Sequence, residues 1–107
     1  MDSFDVIISP KALSQLNSYI DYLQDTLLND QAARNVWQDA METRNYLSKA
    51  AESLKLCFHP LLKKNEYRVI HFIRHRYLML YRIEGSIVYV DAIYHQLQDY
   101  ENIFADE

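Results

Sequence analysis

Apolar and polar residues alternate at Phe4, Val6 and Ile8, a period of two that predicts a short first strand. Ser9-Pro10 closes it and starts a helix, because a Ser hydroxyl accepts from an otherwise unpaired amide and Pro has no amide to lose. Leu13, Leu16, Ile20, Leu23 and Leu27 then recur at spacings of 3, 4, 3 and 4. That is one stripe on an amphipathic helix of about 18 residues. Asn29-Asp30 interrupts the stripe, with Asp30 the expected cap of a second helix over residues 31–54. Its buried positions are read as Ala33, Val36, Trp37, Ala40, Leu47, Ala51 and Leu54. The link between the helices is short, which predicts an antiparallel hairpin.

Residues 55–66 lose the helical period, and Pro60 disfavours helix at His59, so a loop is expected there. Three strands follow over 67–74, 77–83 and 87–94, all rich in Tyr, Ile, Val and Phe. His75-Arg76 forms a tight connection, and Gly85, the only glycine, serves the next hairpin turn. The tail, 95–107, is polar, with Leu97, Tyr100, Ile103 and Phe104 spaced as one or two helical turns. The order β-α-α-β-β-β predicts a single α+β domain over 1–107, a helical hairpin packed on a mostly antiparallel four-stranded sheet.

Both faces of the central strands carry large side chains. Tyr67, Val69, His71 and Ile73 oppose Arg68, Ile70, Phe72 and Arg74 in one strand; Tyr77, Met79, Tyr81 and Ile83 oppose Leu78, Leu80 and Arg82 in the next. A slip of one residue inverts a strand, so the pattern leaves open which faces coincide. The hairpin covers one face. The other is sealed by the tail or left for a partner, and an open, Tyr-rich face is the expectation.

Composition sharpens this picture in two ways. Nine Tyr stand against four Phe and one Trp, an excess suited to half-buried sheet faces and interfaces. The net charge of −4 is uneven: residues 55–82 hold seven Lys or Arg and one acid, whereas 83–107 hold six acids and no Lys or Arg. A local basic surface aimed at phosphate or an acidic partner competes with a scattered, solvated one. Cys57 is the only cysteine, which forbids an internal disulfide and fits a reducing, cytoplasmic setting. The opening MDSFDVIISP does not read as a signal peptide, and no apolar run of about 18 residues predicts a membrane span.

Standard catalytic signatures are absent: no Gly-rich phosphate loop, no G-x-S-x-G elbow, no Cys-x-x-Cys. His59, His71, His75 and His95 lack metal-ligand spacing, so neither a metal nor a cofactor is expected. Cys57 paired with a His would make a nucleophile, but between Leu56 and Phe58 it reads as packing.

The helical hairpin followed by Tyr67-Arg-Val-Ile-His-Phe-Ile-Arg-His-Arg-Tyr-Leu-Met-Leu-Tyr-Arg-Ile-Glu-Gly85, then Ala92-Ile-Tyr-His-Gln96 and Asp99-Tyr100, resembles the RelE/ParE family of bacterial type II toxins. The likeness runs from Phe4 to Phe104, and its diffuse motifs are closer to the ParE-like members. It implies a growth-arrest toxin neutralised by a cognate antitoxin, with operator DNA contacted only through that antitoxin. It also implies one of two targets, DNA gyrase or the ribosome with its mRNA.

Under the nuclease reading, His95 and Tyr100 would supply acid and base groups, because His titrates near neutral pH and RNA cleavage needs a 2′-OH deprotonated. Lys63, Lys64, Arg68, Arg74, Arg76 and Arg82 are the expected target-binding or nucleic-acid-binding residues. Tyr77, Met79, Tyr81 and Tyr89 are the expected antitoxin surface. After Tyr77, however, stands Leu78 where the nuclease branch carries Arg. The readings carried forward are a ParE-like poison of a protein target, a ribosome-dependent endoribonuclease, and a non-toxic interaction module.

Overall fold

In the computed structural model, which describes residues 3–107, strand β1 (Asp5–Ile8) leads into helix α1 (Pro10–Asp21). Ser9 caps α1 as its position suggests, its hydroxyl accepting from Ala12 N at 3.1 Å. One π-type turn, Tyr22–Thr26, extends the helix, and Leu28 at φ +52° reverses the chain. Helix α2 (Asp30–Ala50) begins one residue earlier than its sequence suggests, because Asn29, not Asp30, is the cap: its side chain accepts from Ala32 N at 3.0 Å.

The stretch expected as a loop contains a short helix, α3 (Pro60–Lys64), capped by the His59 ring, which accepts from Leu61 N. Pro60 therefore starts a helix rather than excluding one. Strands β2 (Arg68–His71), β3 (Tyr77–Glu84) and β4 (Ile87–His95) and helix α4 (Tyr100–Ala105) complete the chain.

The sheet runs β1-β4-β3-β2, with β1 parallel to β4 and the other pairs antiparallel. This matches the expected α+β architecture. β2 is shorter than its apolar run, and the link to β3 is longer than His75-Arg76 alone: Phe72 N donates to Tyr77 O, leaving residues 73–76 as the loop. Gly85, at φ +62°, takes the left-handed turn between β3 and β4 for which a Cβ would be strained.

The register settles the faces. Ile70 pairs with Met79 and Arg68 with Tyr81, and across the bulge at Asp91, Tyr81 pairs with Val90. Ile70, Met79, Tyr81, Val88, Val90 and Ile93 thus meet Leu16, Val36, Ala40 and Leu47 of the hairpin in the main core. The hydroxyl of wholly buried Tyr81 donates to Ala51 O at 2.7 Å, so its ring is buried without an unsatisfied polar group. Trp37, read as core, stands 42% exposed, lining a cleft with Ile20 and Ala33 of the two helices; Leu13 and Leu27 are also exposed.

Candidate functional site

The second sheet face is not left open. Leu78, Leu80, Ala92 and Tyr94 form their own buried cluster with Cys57 and Leu62, against which Tyr67, Tyr100, Phe104 and Ala105 pack. The tail thus folds back and seals most of this face, contrary to the expectation of an exposed one. The physical reason lies in the tail's own stripe: Tyr100, Phe104 and Ala105 share one side of α4. Polar ties hold it down. Tyr94 Oη donates to Glu107 at 2.9 Å, Lys11 pairs with Glu107 and stands 4.9 Å over the Phe104 ring, and Glu101 accepts from His59 N at 2.6 Å.

Among the four Tyr and Met positions expected on the antitoxin surface, Met79 and Tyr81 are wholly buried beneath the helical hairpin and unavailable to a partner. The register turned them inward. Tyr77 and Tyr89 are half-buried. Tyr77 sits in an aromatic group with Tyr19, Phe72 and His95 at centroid distances of 5.0, 5.6 and 5.2 Å. Tyr89 lies beneath the Arg82 guanidinium, 4.5 Å from its carbon.

The basic block is likewise divided. Arg68 donates to the Leu54 carbonyl, Arg74 to Glu42 at 2.6 Å, and Arg82 to Asp91 at 2.8 Å while also pairing with Glu84. These partners hold the Arg74 and Arg82 guanidinium groups charged, each through its hydrogen-bonded carboxylate first. Lys63, Lys64 and Arg76 are exposed and have no ion-pair partner among the described residues.

His95 and Tyr100 are also kept apart. His95 pairs with Tyr77 across the sheet, its ring edge-on to the Tyr77 ring on the hairpin side, while its Nδ1 accepts from Leu97 N at 3.1 Å. Tyr100 packs on the opposite face, where burial first and Glu101 second raise the pKa of its hydroxyl. A phenol made harder to ionise is a poor base.

Cys57 is buried, and desolvation pushes its thiol up to about 12. At about pH 8 a thiol reagent should leave the folded chain unmodified and label it rapidly in denaturant; fast labelling of native protein would contradict this packing. Because the folded thiol ionises less readily than the unfolded one, its contribution to stability is complete below the ordinary thiol range and is lost as pH rises towards 12.

Two polar centres escaped the sequence reading. Asp39, 1% exposed on α2, accepts from Arg74 N at 3.0 Å, His75 N at 2.8 Å and lies 2.7 Å from the His75 ring nitrogen. One turn on, Thr43 accepts from Ile73 N at 3.4 Å. Together they pin the 73–76 loop to the hairpin. Asp91, the extra residue of the β4 bulge, accepts from Tyr67 Oη at 2.7 Å and from Arg82. The signal was available: Asp39 and Thr43 sit within the α2 stripe, and Asp91 interrupts an apolar strand. A polar residue in a buried periodic position needs partners.

Beside the sealed face, a groove of about 330 Å³ remains, lined by Leu54, Lys55, Phe58, Val69, His71 and Tyr100 among others. Phe58 at its rim is 86% exposed.

The family model of the ParE toxin of type II toxin-antitoxin systems, parDE, matches residues 6–100, from β1 to the first residue of α4. The chain belongs to the ParE toxin family. A solved structure described as the chromosomal ParDE TA system from P. aeruginosa is similar in fold, with a TM-score of 0.71 at 18% identity over 87% of this chain and 96% of that one. A search of curated proteins finds no match. Membership makes this ParE-family chain the toxin of a type II module and implies a cognate antitoxin. Among the described residues, no helix of this ParE-family toxin is long and apolar enough to cross a membrane.

Proposed function

We propose that this toxin arrests growth by binding and poisoning an essential protein, with DNA gyrase the leading target, and not by cutting RNA. The observation that carries the reading is the separation of His95 from Tyr100 on opposite faces of the sheet. Cleavage of RNA needs a base at the 2′-OH and an acid at the leaving oxygen within reach of one phosphate. It also gains about 10²–10³ in rate from a charged donor at that phosphate. Leu78, at the position where nuclease-type relatives carry Arg, is buried under the tail, which supports the same reading. So does the engagement of Arg68, Arg74 and Arg82 by internal acceptors, since affinity for nucleic acid comes largely from unneutralised cations. Contact with operator DNA falls to the antitoxin.

The test uses purified toxin with gyrase and relaxed plasmid, alongside 5′-end mapping of transcripts after induction. Blocked supercoiling without codon-positioned cuts is expected. Undisturbed supercoiling, or cuts at fixed codon positions, would sink the proposal and favour the ribosome.

A further inference from the structure

The loop between β2 and β3 is held more firmly than a hairpin connection needs. Two residues in a tight turn can join antiparallel strands with no help from another element. Here three successive amides turn inward onto α2. Ile73 N donates to Thr43 Oγ1 at 3.4 Å, and Arg74 N and His75 N donate to Asp39 Oδ2 at 3.0 and 2.8 Å. The His75 ring closes on the same oxygen at 2.7 Å. The other oxygen, Asp39 Oδ1, is buried with no hydrogen-bond partner. A buried carboxylate with an unmatched oxygen is a cost to the fold, so the shape it fixes serves something besides stability.

That shape leaves Ile73, Arg74 and Arg76 exposed. Arg74 is steadied through one nitrogen. Its Nη1 donates to Glu42 at 2.6 Å and lies 4.0 Å from Asp39 Oδ1, while its Nε and Nη2 meet no acceptor among the described residues. Beside it opens a polar cleft of about 510 Å³, lined by Arg74 and His75 of the loop and by Asn35, Gln38 and Glu42 of α2. Two arginines stand against two carboxylates, Asp39 and Glu42, so the patch has no net charge to draw a phosphate backbone. It offers instead an aliphatic side chain next to guanidinium donors. That suits a protein surface bearing a carboxylate beside an apolar residue, Arg being a frequent anchor of protein interfaces.

An antitoxin can be moulded to its toxin. An essential target is constrained by its own work, so the toxin must bring the fitted shape, ordered before contact. We propose that the 73–76 loop is the surface that grips the poisoned target. Arg74 and Arg76 take carboxylates of that protein, Arg74 through the donors Glu42 leaves free, and Ile73 packs on an apolar neighbour. Asp39 and Thr43 are positioning residues, acting through the loop they hold. The proposal places the contact within the function proposed above and rests on that reading.

The test uses the double variant Ile73→Ala, Arg76→Glu, with Lys49→Glu on α2 as a control for the same change of charge. All three side chains are exposed, so both variants should keep the urea midpoint of the unaltered protein. Each is assayed for inhibition of gyrase supercoiling, for growth arrest on induction, and for binding to the product of the adjacent reading frame. The loop variant is expected to need about 30-fold more toxin for half inhibition, the size expected when an anchoring side chain is lost, and to arrest growth no longer. It should bind the antitoxin as the unaltered chain does, and Lys49→Glu should match the unaltered chain throughout. In the free toxin the amides of Arg74 and His75 should exchange slowly; fast exchange would remove the ordered loop and overturn the proposal. So would a loop variant that still arrests growth fully, or one that loses the antitoxin as well. Should the unaltered toxin arrest growth without touching supercoiling, gyrase falls as the target, and growth arrest by the loop variant still decides the loop. An unaltered chain that arrests nothing would overturn the poisoning reading and the proposal with it.

Discussion

Leu78→Arg is expected to unfold the protein, not to arm it as a nuclease. Leu78 is wholly buried, paired with His71 and Tyr94 across the sheet, and covered by the cluster that Cys57, Leu62, Tyr100 and Phe104 help to form. An Arg side chain there meets no carboxylate that lacks a partner: Glu101 is bound by His59 N, Asp91 by Tyr67 and Arg82, and Glu107 by Tyr94 and Lys11. An uncompensated buried charge costs about 3–5 kcal/mol, to which lost packing adds. Domains of this size have only about 5–15 kcal/mol in all. Urea titration should therefore show a collapsed midpoint, with Leu78→Met as the volume-matched control staying near wild type. A Leu78→Arg chain whose urea midpoint stays near wild type would refute this prediction.

Asp39→Ala comes second in expected effect. The carboxylate is almost fully buried and serves two backbone amides and the His75 ring, so its removal orphans donors at the 73–76 loop. About 3 kcal/mol of stability should go, since each buried group left unsatisfied costs about 1–3 kcal/mol. The loss should centre on the amides of Arg74 and His75, whose exchange accelerates more than that of β3. Asp39→Asn keeps an acceptor oxygen and should lose distinctly less. Equal losses in both variants would mean that charge, not hydrogen bonding, holds the loop.

The elements that sequence read well were those whose signals are local. The Ser9-Pro10 start, the 3-and-4 stripe of α1, the hairpin link at Asn29-Asp30 and the Gly85 turn each depend on neighbours within one or two helical turns. What failed was non-local. Residues 67–83 carry large side chains on both faces, and only the pairing of Ile70 with Met79 decides that Met79 and Tyr81 face the hairpin. No pattern within the strand could announce that. The tail misled for a related reason: Leu97, Tyr100, Ile103 and Phe104 were legible as a helical turn or two, but six helical residues specify no docking place by themselves. Of the four, only Tyr100 and Phe104 pack on the sheet, while Leu97 and Ile103 stay exposed. The site residues scattered because proximity in sequence, as in the basic block, says nothing about which acceptors the fold supplies. Arg68, Arg74 and Arg82 each found one on a different element.

The parallel pairing of β1 with β4 carries a consequence for when this protein becomes whole. Asp5 lies opposite Ile87 and Ile8 opposite Val90, so β1 depends on a sheet neighbour that lies far downstream in the chain. Such distant closure slows folding and cannot begin early in synthesis. A chain that lacks residues 87–90 therefore leaves β1 with no strand to pair with, and the sheet stays incomplete however well the hairpin forms.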